Sequence, residues 1–104
     1  MGDRISVAFK NESRVSVSLF SHWGGMSFLQ DVVDYVKRLI KQTGDKQYAP
    51  LDRREPEYAM VDFIRTYHPG TPQDSLYLGV DENDGDNSDN GHFIIDLNTG
   101  RYNE

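Results

Sequence analysis

The chain has no cysteine, so it forms no disulfide, offers no thiol nucleophile and holds no thiolate-bound metal. Small secreted domains generally need such staples, which makes a cytoplasmic home the expectation. Cations are also scarce, with 11 Lys and Arg against 17 Asp and Glu, a net charge of −6. Duplex-binding proteins neutralise phosphates with Lys and Arg, so no nucleic-acid partner is expected. No apolar run approaches the roughly 20 residues of a membrane span, and no apolar signal core follows the N-terminus. No membrane partner is expected either. Hydrophobic residues make up 37% of 104 residues, with one tryptophan. That fits a single domain over 1–104 in a thin two-layer fold, and leaves too little core for a deep substrate chamber.

What the chain does have is pattern. Ile5, Val7 and Phe9 alternate with Ser6, Ala8 and Lys10, and beyond Asn11-Glu12-Ser13 the alternation resumes. There Val15, Val17 and Leu19 stand against Ser16, Ser18 and Phe20. Two period-two runs around a short polar link predict a β-hairpin with one buried face and a wet, serine-rich outer face.

After Gly24-Gly25 the period changes. Phe28, Leu29, Val32, Val33, Val36, Leu39 and Ile40 mark one stripe of a helix. Ser27 with Gln30 fits a capping box, and Gly44 fits a C-terminal stop. Asp31 and Asp34 precede Lys37, Arg38 and Lys41, the order the helix dipole favours. A polar stretch follows, then Asp52 with Glu55 as a second N-terminal box, Pro56 in a first turn, and a shorter stripe of Met60, Phe63, Ile64 and Tyr67. His68-Pro69-Gly70 ends that helix after about three turns.

Strands return in the last third. Leu76, Leu78 and Val80 alternate with Tyr77 and Gly79, and Phe93, Ile95 and Leu97 alternate with His92, Ile94 and Asp96. Between them, residues 81–90 contain no apolar side chain and read as a mobile, solvated hairpin loop. Asn98-Thr99-Gly100 reads as a tight turn, with Tyr102 pairing back. The fold class is α+β in the order ββααββ, an antiparallel sheet with two helices packed on one face.

One motif asks for chemistry. Ser21, His22, Trp23, Gly24 and Gly25 lie where the second strand hands over to the long helix, and they form the candidate binding site. Glycines admit a ligand close to the backbone, a helix start offers free N–H groups to an anion, and His22 with Trp23 would add a proton carrier and a stacking surface. The competing and preferred reading is packing: Trp23 plugs the sheet–helix corner, His22 bonds a strand end, and the glycines make the reversal. Ser21 and His22 are adjacent in a strand and face opposite ways, so they form no triad.

Leu19 through Gly25 resembles the "LYSHWGG"-type signature of small, uncharacterised bacterial and phage proteins, with Phe20 where tyrosine is frequent. In those proteins the signature ends a β-hairpin and precedes two helices and a late strand pair. The resemblance implies that order of elements here and a phage- or prophage-related setting. It carries no established chemistry.

Other candidates are weaker. Asp86, Ser88, Asn90, Gly91 and Phe93 match part of an EF-hand register, but the twelfth position is Leu97 instead of a bidentate glutamate. His22, His68 and His92 have no helical ligand spacing, so no metal and no cofactor are expected. The carboxylates of 81–89 read as a solvated cluster, and no catalytic residue is assigned. Lys37, Arg38, Lys41, Lys46, Arg53 and Arg54 form a basic pole opposite the acidic loop, and opposite poles suit a protein partner or self-association. The function expected is therefore a non-enzymatic binding or adaptor protein, with Phe20 and Tyr77 as exposed aromatics on the outer sheet face. Two alternatives stand beside it: a small ligand-binding protein or enzyme using the His22/Trp23 corner, and an acidic mimic of nucleic acid.

Overall fold

The central strand β1, Ile5–Asn11, carries the period-two pattern and organises everything around it. The computed structural model describes residues 2–43, 53–67 and 76–103. After the turn at Glu12 and Ser13 the chain comes back as β2, Arg14–Val15, and β3, Ser18–Ser21. Both pair with β1 antiparallel, as the hairpin pattern predicts.

Their registers differ by one residue. Lys10 opposes Val15, whereas Val7 opposes Leu19, so three steps along β1 match four on the returning strand. This is a β-bulge at Ser16 and Val17. The Ser16 hydroxyl oxygen accepts the Phe9 N–H at 3.0 Å, and the hydroxyl donates to the Val17 carbonyl at 2.8 Å. A one-residue slip exchanges the two faces. Val15 therefore shares the outer face with Lys10, while Leu19 stays on the core face with Val7. The expectation that Val15, Val17 and Leu19 share one buried face is corrected: Val15 and Val17 are exposed.

Helix α1 runs Gly25–Thr43 and α2 runs Pro56–Tyr67. The first intrahelical bond of α1 runs from the Phe28 N–H to the Gly24 carbonyl at 3.2 Å. The expected Ser27–Gln30 box is thus inside the helix, where Gln30 donates to Asp34 at 2.9 Å. Pro56 opens α2 as expected, with the Ala59 N–H on the Glu55 carbonyl at 3.0 Å. The expected Gly44 stop, the role of Asp52 and the His68-Pro69-Gly70 end lie outside the described residues. Both helices lay their apolar stripes on one face of the sheet. Phe28, Val32, Val36, Ala59, Met60 and Phe63 join Ile5, Val7, Phe9, Leu19, Ile95 and Leu97 in one buried cluster.

Strand β4, Leu76–Gly79, pairs antiparallel with β3, and β5, His92–Asp96, pairs with β1 on the other side. The architecture is α+β with the elements in the expected order. Of the four ladders, β1–β5 is parallel and the other three are antiparallel. The consequence is geometric. β4 and β5 run the same way on opposite edges, so residues 80–91 cannot be a hairpin loop and must cross the sheet to reach β5. They cross its outer face. That face is consequently buried, not wet: Ser6, Ala8, Ser18 and Phe20 are all 2% exposed or less. The turn after β5 is as expected, with the Gly100 N–H on the Asp96 carbonyl at 2.8 Å and an antiparallel bridge between Ile95 and Tyr102. No helix among the described residues is long and apolar enough to cross a membrane.

Candidate functional site

The corner between β3 and α1 is built around the N-terminal segment. The Asp3 N–H donates to the His22 carbonyl and the Gly25 N–H to the Asp3 carbonyl, both at 2.9 Å. Ser21 is buried, and its hydroxyl oxygen accepts the Gly24 N–H at 2.9 Å. A Cβ on Gly24 would stand 2.6 Å from both the Ser21 hydroxyl oxygen and the Phe28 Cβ, and one on Gly25 would collide with the Asp3 carboxylate. Gly25 also sits at φ +57°, a conformation that favours glycine. The two glycines thus admit the protein's own side chains. Asp3 places a carboxylate beside the helix start, where the dipole favours negative charge, and its Oδ1 accepts the Asn90 amide at 2.7 Å.

Within that pinned corner the aromatic pair is left outside. Trp23 is 44% exposed and Met26, three residues on, is 51% exposed. His22 is half-buried, with its ring edge-on to the indole at a centroid distance of 4.4 Å. Trp23 is not the plug that a packing reading expects. The strand-end bond of His22 is made by its backbone carbonyl.

The acidic crossover is tied down residue by residue. Asp86 Oδ1 accepts the Ser88 hydroxyl at 2.7 Å and its N–H at 3.0 Å. These bonds, with the Arg4 guanidinium 3.2 Å from Oδ2, hold the Asp86 carboxyl below the ordinary carboxylate range. The Arg4 N–H donates to Asp89 at 2.9 Å, and Asn90 donates to the Arg4 carbonyl at 3.0 Å. Residues that resemble a calcium loop in sequence therefore bond to one another and to the N-terminal segment. Among the described residues no group of three or more His, Asp or Glu is arranged to hold a metal ion.

At the centre of the crossover lies a cluster that sequence reading missed. The Ser6 hydroxyl oxygen accepts the Asn87 amide at 2.9 Å and stands 2.6 Å from His92 Nδ1. With one lone pair taken by Asn87, the hydroxyl still has its proton for an unprotonated Nδ1 and a second lone pair for a protonated one, so this contact holds either neutral tautomer of His92. Burial lowers the pKa of His92, against the opposing pull of Glu82 and Asp81. Serine beside histidine suggests a nucleophile, but Ser6 is 0% exposed and no substrate reaches its oxygen. The cluster ties crossover to sheet. Nothing local signals it, because its members lie on β1, the crossover and β5. Phe20 belongs to the same roofed surface: it is 0% exposed, stacked on Tyr77 at 5.0 Å with the planes 6° apart. Its expected exposure is corrected, and of the two aromatics only Tyr77 reaches solvent.

Between the helices an open groove of about 620 Å³ is lined by side chains of both signs, among them Asp31, Asp34, Lys37 and Arg38. Tyr35 borders it and donates to Asp62 at 2.6 Å. Burial first, then the Asp62 carboxylate, pushes the phenol pKa up and keeps it protonated. Burial and the neighbouring Asp34 raise the pKa of Asp31. No exposed nucleophile is paired with a base among the residues lining that groove. No family model, curated protein or solved structure matches the chain.

Proposed function

We propose that this protein is a non-enzymatic binding module, an adaptor whose contact surface centres on Trp23 and Met26. The observation that carries the reading is their joint exposure on a corner whose surrounding polar groups are already bonded. Tryptophan and methionine are enriched where proteins meet, and a rigid platform spares the ordering cost of binding. A cytoplasmic, phage- or prophage-related setting belongs to the same proposal. The ligand-site alternative is less supported, since Asp3 occupies the helix start. The acidic-mimic alternative is less supported too, since Asp86 and Asp89 face Arg4.

The test compares wild-type protein with Trp23→Ala and Met26→Ser as baits in host lysate, followed by titration of any purified partner against the single indole. A specific partner retained by wild type, lost by both variants at unchanged Tm, and able to shift the indole emission supports the proposal. Equal retention by all three baits, or a partner that leaves the indole unperturbed, overturns it.

A further inference from the structure

A second surface lies on the outer face of the sheet, away from the Trp23 corner in sequence and lining. A groove of about 320 Å³ opens beside the crossover, at the small end of ligand-site volumes and suited to one long side chain. Its lining includes Ala8 and Ile94, neighbours across the β1–β5 ladder. Val15 and Val80 line it too and are 51% and 77% exposed. The bulge that turns Val15 outward is what places it there.

Asp81 and Glu82 also line this groove. Among the described residues neither carboxylate lies within ion-pair distance of a Lys or Arg, and Arg4, which ties the crossover to the sheet, is engaged by Asp86 and Asp89. Val15, Val80 and Ile94 give the groove an apolar strip among polar lining residues that include His92, and carboxylates beside such a strip complement a cation carried on an apolar stem. They repel a phosphate or a carboxylate ligand. Backbone is on offer as well. β2 pairs only with β1, and the β3–β4 ladder stops at Ser18 and Gly79. The other edge of β2 is therefore unpaired among the described residues, beside the groove.

We propose that the groove docks an extended segment of a partner protein through one lysine or arginine side chain, its stem against Val15, Val80 and Ile94 and its cation at Asp81 and Glu82. The free strand edge favours a polypeptide over a free polyamine, because it can pair with the backbone that carries the side chain. This site goes beyond the Trp23 surface and stands or falls without it.

The test is amide chemical-shift titration of the full-length chain with the tripeptide acetyl-Val-Lys-Val-amide. The comparison probes are the same peptide with norleucine or glutamate at the centre, and spermidine. The lysine peptide is expected to shift Val15, Val80 to Asn83 and Ile94 saturably, with the glutamate peptide silent. Asp81→Asn with Glu82→Gln is expected to weaken it about five-fold, the size of one exposed charge pair, with Tm unchanged. The amide oxygen introduced by Asp81→Asn would still accept the Asn83 N–H that the Asp81 carboxylate holds at 2.8 Å. Trp23→Ala is expected to leave this titration unaltered. Norleucine binding as tightly as lysine overturns the proposal, as does spermidine matching the peptide at the same residues. Shifts confined to other parts of the chain overturn it as well.

Discussion

Both faces of the sheet are buried, but by different physics. On the helix face, Phe63 meets the rings of Phe9, Phe28, Tyr35 and Tyr67 at centroid distances of 5.2 to 6.2 Å. That layer is held by non-directional apolar burial. On the outer face the cover is a segment with no apolar side chain from 81 to 90. It is held by Asn87 on Ser6, Asn90 on Asp3 and Arg4, and Arg4 on Asp86 and Asp89. Hydrogen bonds of this kind contribute little net stability each, yet a lost partner leaves a buried group unsatisfied. The lesson is that one sheet carries a robust face and a conditional one. Local opening is expected to begin at the roof.

The largest effect should come from the robust face. Phe63→Ala removes the ring that joins the aromatic cluster and is expected to cost about 3–5 kcal/mol in denaturant unfolding. Both faces should lose amide protection together, because α2 and β1 share that cluster. A loss below about 2 kcal/mol would mean that the helix layer is not what holds the sheet. On the conditional face, Gly85→Ala drives a methyl to 2.7 Å from Tyr77 and 2.8 Å from Phe20. Overpacking there is expected to cost about 2 kcal/mol. Hydrogen exchange should quicken in the crossover and β4 while α1 keeps its protection. Equal loss in α1 would erase the distinction between the faces.

How much of this could be read from the chain depends on whether the signal is local. The β1 alternation and the α1 stripe are local, and both elements stand where they were expected. The bulge is disguised: Val15, Val17 and Leu19 keep period two, and only the Ser16 hydroxyl bonding Phe9 breaks the register. The start of α1 is misread by three residues because Ser27 and Gln30 offer a box that the Gly24 carbonyl pre-empts. For the crossover, composition reports solvation and is silent about partners. Ser6 and Asn87 are 81 residues apart, and no pattern in either neighbourhood names the other. The Ser21–Gly25 corner is half legible. Its glycines signal a close approach, but Asp3 as the approaching group, and Trp23 as the side chain left outside, follow from tertiary placement.

A smaller effect separates the faces by pH. Burial holds His92 below its ordinary 6.5 while Glu82 and Asp81 pull the other way. As pH falls through 6.5, the unfolded chain takes up this proton before the folded one. The unfolded state then binds more protons, so stability rises with pH across that window. The contribution is fully present above the unfolded value and lost as pH falls toward the depressed folded value. His92→Asn keeps an amide able to donate to or accept from the Ser6 hydroxyl and removes the titration. The variant is expected to lose this part of the stability slope just below 6.5, read by denaturant midpoints across a pH series. An unchanged slope would show that the roof does not sense this imidazole.

The smallest effect tests whether charge matters equally on both sides. Arg4 ties the roof with a side chain 30% exposed, whereas Arg14 reaches from β2 to Glu55 and Glu57 with a side chain 60% exposed. An exposed guanidinium gains little from its carboxylates, because water screens the pair and two long side chains lose freedom. Arg14→Gln is therefore expected to change stability by no more than about 0.5 kcal/mol, with less change still at high salt. The helix layer beneath it is secured by Pro56, Ala59 and Phe63, all buried, so α2 should keep its amide protection. If Arg14→Gln instead loosened α2 as much as Gly85→Ala loosens the crossover, ion pairs would be holding the helix face too, and the contrast between an apolar side and a polar side of this sheet would collapse.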